Sequence, residues 1–280
     1  MKKRDVSEKE DGRWLWTGIK GFDELLERGV PKGSSIIVSG GPGTGKTIFC
    51  LQLTYNIAKE GKDCVYLSLE EAPERLKSHM EDFGFDIEEI KRTNDTIYLK
   101  AGKGRVALRR LEPISIARSV EALLEKATGR LTIDTAAVLD MLPGDMKPTL
   151  VVMDSISAMA TAFSGRVEQY RIYIEQLFRY FEKINVTSFL ITETNEAPFK
   201  VSKEGVEEFL ADGIIVFYYI ADHQETYRVR GIEILKLRGA KHSTHLVQME
   251  ITKNGIIVHP WNRKLESVVR EKALPAGYRV

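Results

Sequence analysis

The sequence predicts a doubly wound α/β fold, in which helices cover both faces of a mostly parallel sheet. Three observations support this prediction. Nearly continuous apolar runs of strand length recur along the chain, as in strands that are buried on both faces. Stretches of helical length lie between these runs, so that strand and helix alternate. The last third of the chain changes to alternating or hairpin-like patterns, which predict an antiparallel β extension.

The elements follow one another in a regular order. The predicted parallel strands are residues 35–39, 63–69, 149–153, 187–192 and 213–218, and the predicted helices are residues 46–60, 72–83, 115–127 and 169–184. The extension comprises residues 225–237 and 246–258, with a turn at Lys253-Asn254-Gly255. Because no Gly/Ser-rich or Pro-rich linker interrupts this order, we expect one domain over residues 13–262, between tails at 1–12 and 263–280.

Composition excludes several classes of protein. Hydrophobic residues make up 43% of the 280 and charged residues 29%, which is a globular mixture and not a disordered one. The formal net charge of +1 excludes binding of nucleic acid through bulk charge alone. Cys50 and Cys64 form no metal-ligand pattern, and no apolar run approaches the roughly 20 residues of a membrane span. We therefore expect a cytoplasmic protein with no membrane span and no secretory signal.

The strongest motif is a glycine-rich phosphate loop, GGPGTGKT, between a predicted strand and a predicted helix. It matches G-x-x-x-x-G-K-[ST], whose glycines let backbone N–H groups surround phosphate at a helix N-terminus. The lysine of this motif reaches the β- and γ-phosphates, and its hydroxyl residue binds Mg²⁺. A glycine-rich turn that happens to precede a lysine is the alternative. The predicted nucleotide-binding residues here are Gly40, Gly41, Pro42, Gly43, Thr44, Gly45, Lys46, Thr47 and Ile48.

A carboxylate ends the apolar run Leu150-Val151-Val152-Met153-Asp154. An acid at the carboxyl end of a buried strand is the Walker B arrangement, in which the carboxylate holds Mg²⁺. Strand-end carboxylates also cap helices, and that is the alternative for Asp154. Given the phosphate loop, we predict a metal site formed by Thr47 and Asp154.

Two further carboxylates, Glu70 and Glu71, follow the predicted strand at residues 63–69. If that strand lies near the phosphate-loop strand, both acids face the γ-phosphate, where one of them could polarise a water molecule as a general base. Acids are also favoured at a solvated helix N-terminus, and Pro73 is placed as in a first helical turn. Position alone leaves these two interpretations equal.

Several more motifs accompany the loop in order along the chain. They are Thr17-Gly18-Ile19, residues 21–26 (GFDELL), residues 29–34 (GVPKGS), Leu69-Glu70-Glu71, Met153-Asp154-Ser155, Ile191-Thr192-Glu193, residues 205–212 (GVEEFLAD), residues 233–239 (EILKLRG) and residues 255–260 (GIIVHP). With the phosphate loop, this series resembles the circadian-clock KaiC family within the RecA-like ATPases. The resemblance extends over roughly residues 14–260.

The resemblance implies a RecA-type core whose subunits form a ring, usually a hexamer, with ATP between neighbours. It implies that Glu70 and Glu71 match the family's paired catalytic carboxylates, with Glu70 our choice for the base. It also implies that Lys236 and Arg238, which flank Leu237, reach the nucleotide of the adjacent subunit, and that His242 lies near it. The alternative for residues 236–238 is an exposed strand face, because residues i and i+2 share one side of a strand. The predicted catalytic residues are Lys46, Glu70, Glu71, Lys236 and Arg238.

The chain also departs from the family pattern. Many relatives carry two such domains in tandem, whereas this chain has one. Ala240 and Thr244 stand where relatives often have Thr and Lys, which puts base or ribose contacts from that loop in doubt. Glu208-Phe209 occupies the positions of a Ser-Thr pair that carries autophosphorylation in the clock kinase, so we predict no self-phosphorylation there.

The leading hypothesis is an oligomeric, Mg²⁺-dependent ATPase that acts in regulation or signal transduction, with a protein partner that the sequence does not name. One alternative is a nucleotide-gated interaction module with little hydrolysis. Another is a nucleic-acid-binding ATPase, for which the basic residues Lys100, Lys103, Arg105, Arg109 and Arg110 are the main argument. We do not favour nucleic acid, because a run of charge is more often a solvated face.

Overall fold

The computed structural model describes residues 12–126, 141–163, 165–194, 201–202, 205–221 and 228–261. Within these residues, eleven strands form one sheet, and two short strands pair separately. The strands are β1 (Trp14–Leu15), β2 (Val30–Pro31), β3 (Ser35–Gly40), β4 (Asp63–Ser68), β5 (Glu88–Arg92), β6 (Thr96–Ala101), β7 (Gly104–Arg110), β8 (Leu150–Asp154), β9 (Thr187–Glu193), β10 (Gly213–Ala221), β11 (Arg228–Leu237), β12 (Val247–Thr252) and β13 (Gly255–His259).

The described part of the chain also contains six α-helices and a 3₁₀ turn at Asp23–Leu25. The helices are α1 (Lys46–Lys59), α2 (Pro73–Asp82), α3 (Pro113–Lys126), α4 (Ile156–Ala162), α5 (Val167–Lys183) and α6 (Glu207–Leu210). Local sequence explains where two of them begin. Gly45 precedes α1 with φ of +107°, a conformation that favours glycine, and Pro73 opens α2 with a φ suited to a first helical turn.

The large sheet has the order β13-β12-β11-β10-β3-β9-β8-β4-β7-β6-β5. Its six central strands, β10 to β7 in that order, pair in parallel. Antiparallel strands extend the sheet at both edges, β11 to β13 on one side and β6 and β5 on the other. The predicted doubly wound, mostly parallel fold with a C-terminal antiparallel extension is confirmed.

Two apolar layers enclose the central strands, because neighbouring side chains of a strand point to opposite faces. On one face, Ile36 and Val38 of β3 are buried with Phe49 and other residues of α1. On the other face, Ile37 is buried with Leu177 and other residues of α5. Burial on both faces explains why the central strands are almost continuously apolar.

Residues 84–112 differ from the sequence-based expectation, which placed no element there. They form β5, β6 and β7, and β7 is the sixth parallel strand, beside β4. All five residues of β5 are exposed, so the strand lacks the apolar alternation that identifies a half-buried strand. The helices α4 and α6 were also not predicted, and at seven and four residues they are too short to show a helical period.

Parts of the sequence-based prediction lie outside the described residues: the tails at 1–11 and 263–280, residue 127 of the third predicted helix, and residues 225–227 of the extension. Within the described ranges, no helix combines the length and the hydropathy that crossing a membrane requires.

Candidate functional site

The carboxyl ends of four neighbouring parallel strands, β3, β9, β8 and β4, carry the polar groups of the predicted site. The phosphate loop follows β3, Glu193 ends β9, Asp154 ends β8, and Glu70 and Glu71 come just after β4. Because parallel strands end at a common edge, these groups surround one cavity of about 330 Å³. The residues that line it are Pro42, Gly43, Gly45, Lys46, Thr47, Ile48, Ser68, Glu70, Glu71, Asp154, Ile191, Glu193, Arg230 and Ile251.

The phosphate loop depends on its glycines. Gly43 and Gly45 have φ of +72° and +107°, in the region where a side chain is strained. At Gly40 the constraint is also steric, since a Cβ there would lie 2.4 Å from the carbonyl oxygen of Phe217 on β10. Thr44 closes the loop by donating its hydroxyl to the carbonyl oxygen of Gly41 at 2.8 Å. The loop therefore has the turn that brings successive N–H groups to the N-terminus of α1.

The Lys46 ammonium is buried beneath this loop. Its Nζ donates to the carbonyl oxygens of Gly40 at 2.9 Å and Gly41 at 2.8 Å, and it lies 4.0 Å from Glu193 Oε1. Burial lowers the pKa of Lys46, while the nearby carboxylates, Glu193 first among them, oppose that shift. The cation is thus held at the place where the motif requires one.

Thr47 and Asp154, the two residues of the predicted metal site, contact each other directly. The Thr47 hydroxyl donates to Asp154 Oδ2 at 2.8 Å, and the Tyr66 hydroxyl donates to the same oxygen at 2.6 Å. Burial raises the pKa of Asp154, whereas the hydrogen bonds from Tyr66 and Thr47 lower it. Asp154 is therefore a partly desolvated carboxylate whose position is set by two hydroxyl groups.

This donor set fits Mg²⁺. Mg²⁺ prefers oxygen ligands, keeps several waters, and in nucleotide sites uses one or two protein groups plus phosphate. A hydroxyl and a carboxylate in contact, Thr47 and Asp154, supply those protein groups. Among the described residues, no three His, Cys, Asp or Glu side chains cluster as a dedicated metal site.

The structure distinguishes the two glutamates, Glu70 and Glu71, by their contacts and exposure. Glu70 Oε1 accepts a hydrogen bond of 2.5 Å from the Ser155 hydroxyl, and the residue is exposed in the cavity. Glu71 Oε2 instead lies 3.2 Å from Arg75 Nε and 3.3 Å from His79 Nε2, both on α2. Glu70 therefore has the more accessible carboxylate, and Glu71 is tied to the helix.

The segment Lys236-Leu237-Arg238 lies at the opposite end of the strands from the phosphate loop of the same chain, beside the amino ends of β10 and β3. Lys236 on β11 pairs with Ile214 on β10, and Ile214 in turn pairs with Ile37 on β3. Ile37 lies about 10 Å before the end of β3, at the usual rise of a strand. Lys236 Nζ donates to the carbonyl oxygens of Glu208 at 3.1 Å and Ala211 at 2.6 Å. Burial, with Arg238 nearby, lowers the pKa of Lys236.

The neighbouring residues of this segment differ in exposure. Arg238 is exposed and pairs with Asp212 at 3.6 Å, whereas Leu237 is buried in the apolar core. The backbone of His242 forms an isolated antiparallel β-bridge with that of Leu26. The side-chain Nε2 of His242 is buried and has no hydrogen-bond partner among the described residues. None of the residues 236–238 or 242 lines the cavity of its own chain.

Sequence reasoning missed several groups in or beside the cavity. Glu193 ends a buried strand just as Asp154 does, so the same criterion could have identified it. Tyr66 lies inside an apolar strand, where the sequence pattern predicts a buried core residue. Arg230 lies in the antiparallel extension and belongs to none of the motifs found in the sequence. Only their contacts with Asp154 and Gly43 reveal these two residues.

The basic run considered for nucleic acid lies on β6, β7 and their turn. Arg105 is bonded to Asp63 at 2.6 Å, Arg109 to Asp95 at 3.1 Å, and Arg110 lies 3.5 Å from Glu112. Lys100 and Lys103 are exposed. Because carboxylates pair with three of the five cations, the run is not a continuous basic surface.

Comparisons with known proteins identify the family to which the chain is similar. A family model for the KaiC ATPase matches residues 15–263. A protein of Aeropyrum pernix called UPF0273 is 32% identical over 247 residues, which are 87% of this chain and 92% of that protein. The circadian clock oscillator protein KaiC of Parathermosynechococcus lividus is 29% identical over 87% of this chain, which spans only 42% of that protein.

A solved structure shows the same fold. The crystal structure of a KaiC-like protein from Pyrococcus horikoshii has a TM-score of 0.66 and 30% sequence identity, and the match covers 89% of this chain and 99% of that one. The similarity thus extends over the phosphate loop, the strand-end carboxylates and the C-terminal extension together. The chain belongs to the KaiC family of RecA-like ATPases.

Proposed function

We propose that this protein binds ATP with Mg²⁺ and hydrolyses it to ADP and phosphate, with residues 13–262 as the ATPase domain. The observation that carries the proposal is the meeting of Lys46, the Thr47–Asp154 pair and Glu70 around one cavity. Family membership supports ATP binding. An exposed carboxylate beside the loop supports hydrolysis over a binding-only role, because binding alone requires no base.

Each group has a separate task in this proposal. The N–H groups of residues 43–48 and the Lys46 ammonium bind the phosphates. Thr47 and Asp154 hold Mg²⁺, which when bound neutralises charge on the phosphate oxygens. Glu70 accepts a proton from the attacking water, and the Ser155 hydroxyl keeps its carboxylate in place. The carboxylate of Glu71 is held by Arg75 and His79 of α2 and lies at the rim of the cavity.

We also propose that the site is completed by a neighbouring subunit in a ring. Lys236 and Arg238 are too far along the sheet to reach the phosphates of their own chain, so a role for them at a nucleotide requires the site of another chain. A cation supplied in this way to the γ-phosphate is worth about 10³ to 10⁵ in rate. His242 follows this pair in the chain, and we place it beside the neighbour's nucleotide.

The role that follows is regulatory, with ATP turnover changing which protein partner the assembly binds. Self-phosphorylation at residues 208–209 is not part of this proposal, since neither Glu208 nor Phe209 carries an acceptor hydroxyl. A phosphopeptide from residues 205–212 after incubation with ATP would contradict that statement.

The test compares phosphate release and ATP binding in three variants. We expect Lys46→Ala to abolish both, and Glu70→Gln to keep ATP binding but to slow phosphate release by about 10² to 10⁴, the usual value of a general base. Glu71→Gln is the matched control, because its carboxylate is engaged by Arg75 and His79, and it should slow release far less. Equal rates in Glu70→Gln and the unmodified protein would refute the catalytic assignment.

A further inference from the structure

The short helix α6 holds the two cations that we assign to the site of the neighbouring subunit. Lys236 Nζ donates to the carbonyl oxygens of Glu208 at 3.1 Å and Ala211 at 2.6 Å. Arg238 Nη2 donates to the carbonyl oxygen of Phe209 at 3.3 Å. The last carbonyl groups of a helix have no partner within the helix and carry its partial negative charge, so they suit cations. The position of α6 therefore sets the position of both side chains.

These contacts leave donors on both cations. An ammonium has three N–H groups, and the α6 carbonyls take two of those on Lys236. A guanidinium has five, and the exposed Arg238 directs two of them to Phe209 and Asp212. Both side chains thus keep donors for phosphate oxygens of another chain, while α6 restricts where those donors point.

A helix of four residues needs an anchor outside itself, because so few hydrogen bonds do not offset the entropy of forming a helical turn. The anchor of α6 is Glu207, a carboxylate at its first position that is only 1% exposed. The Tyr170 hydroxyl of α5 donates to Glu207 Oε1, and the N–H of Val206 donates to Oε2 at 3.1 Å. Because a buried carboxylate is costly without such donors, this contact ties α6 to α5.

Tyr170 is itself fixed in the core. It is buried, and its ring packs against Phe163 with 5.8 Å between the ring centres. Tyr170 does not line the cavity of its own chain, and none of the motifs of the site includes it. An effect of its hydroxyl on ATP turnover would therefore pass through Glu207 and α6.

We propose that Tyr170 is a positioning residue for the shared site: its hydrogen bond to Glu207 fixes α6, and the carbonyl end of α6 fixes Lys236 and Arg238 for the nucleotide of the neighbouring subunit. Tyr170 thus acts on the site of another chain and not on its own. The proposal rests on the proposed shared site, and it adds to the two cations the helix that carries them and the buried contact that holds this helix.

The experiment measures phosphate release at saturating ATP and equilibrium binding of the β,γ-imido analogue of ATP with Mg²⁺. Tyr170→Phe should lower kcat about tenfold and leave binding within about twofold, since misplacement of a catalytic group by about 1 Å can cost about 10²-fold in rate. Tyr173→Phe is the matched control. Tyr173 lies on the same helix, is equally buried and also packs on Phe163, but its hydroxyl bonds Met141 Sδ at 3.7 Å. This variant should change neither quantity by more than about twofold.

Mixing separates a role in trans from damage to the chain that carries the substitution. In an equal mixture of Tyr170→Phe and Lys46→Ala chains, half of the intact loops have a neighbour with an unmodified Tyr170. Phosphate release should then reach about a quarter of the unmodified rate, against about a twentieth if Tyr170→Phe acts only within its own chain. The lower value, or equal kcat in Tyr170→Phe and Tyr173→Phe, overturns the proposal.

The double variant Tyr170→Phe with Glu207→Gln loses the same contact without leaving a buried charge short of a donor. It should therefore fold if Tyr170→Phe does not, and it should slow phosphate release as much. Normal phosphate release by Lys46→Ala would show that the nucleotide site is wrong, and full activity of Arg238→Ala would overturn the shared site together with this proposal. If Arg238→Ala is inactive and the folded Tyr170 variants are not slowed, only the role of Tyr170 is wrong.

Discussion

At the scale of single residues, the site depends on hydroxyl groups that hold carboxylates in place. Tyr66 and Thr47 both donate to one oxygen of Asp154, and Ser155 donates to Glu70. A buried carboxylate without such donors would be costly, since burial already raises the pKa of Asp154. The hydroxyl groups therefore set the orientation of both carboxylates, and those of Tyr66 and Thr47 also oppose the rise that burial causes in the pKa of Asp154.

Removal of the Tyr66 hydroxyl tests this arrangement. Tyr66 is fully buried, and its hydroxyl bonds Asp154 at 2.6 Å. We expect Tyr66→Phe to keep the fold but to raise the Mg²⁺ concentration for half-maximal ATP binding about tenfold, because partners behind a metal ligand typically have effects of that size. A Mg²⁺ titration of ATP binding measures this.

Tyr98→Phe is the control for that titration. It removes a tyrosine hydroxyl that bonds Asp145 at 3.4 Å, away from the cavity, so its Mg²⁺ requirement should match that of the unmodified protein. A Tyr66→Phe variant with the same requirement would show that Thr47 alone positions Asp154.

At the scale of elements, close backbone contacts join the additional strands to the parallel sheet. At Gly104, where β7 begins, a Cβ would lie 2.2 Å from the carbonyl oxygen of Lys62 and 2.4 Å from that of Ala58. β7 thus starts against the end of α1 and the turn before β4. From this start, β7 pairs in parallel with β4 and extends the central sheet.

Substitution of Gly104 tests this contact by sterics alone, since no positive φ is involved. We expect Gly104→Ala to lower the free energy of unfolding by about 1–3 kcal/mol, the usual cost of overpacking. Gly144→Ala is the control: no atom lies within 4 Å of the point that its Cβ would occupy, and it should change stability by less than about 0.5 kcal/mol. Urea unfolding measures both, and equal midpoints would contradict a close approach at Gly104.

At the scale of the whole molecule, the two groups of cations lie at opposite ends of the parallel strands. Lys46 and Arg230 are at the carboxyl ends, beside the phosphate loop, whereas Lys236 and Arg238 are at the amino ends. A head-to-tail contact between chains brings unlike surfaces together, and repetition of such a contact closes a ring when the rotation between neighbours permits closure. Our proposal of shared sites follows from this separation.

Mixing two inactive variants tests the shared site. Lys46→Ala lacks the loop cation, and Arg238→Ala lacks the cation for the neighbour. In mixed rings, about a quarter of the sites would combine an intact loop with an intact neighbour, so phosphate release should return to about that fraction. Either variant alone should remain inactive. No recovery on mixing, or full activity of Arg238→Ala, would contradict a contribution in trans.

Much of this molecule could be predicted from its sequence because the relevant signals are local. The glycines at 40, 43 and 45 serve a turn that only a few consecutive residues determine, and Asp154 is marked by the apolar run before it. Five of the six central strands were predictable because burial on both faces leaves a continuous apolar pattern, and β7 was missed. β5 was not predictable, because an exposed edge strand carries no such pattern.

The sequence by itself predicted the phosphate loop, the carboxylates Asp154, Glu70 and Glu71, and five of the six central strands, since each of these signals depends on neighbours along the chain. Only the tertiary structure decided which of Glu70 and Glu71 is accessible, and that Tyr66 and Arg230 belong to the site. These contacts join residues as far apart as Gly43 and Arg230. They arise when strands from distant parts of the chain end at one edge of the sheet, and no local pattern encodes that meeting.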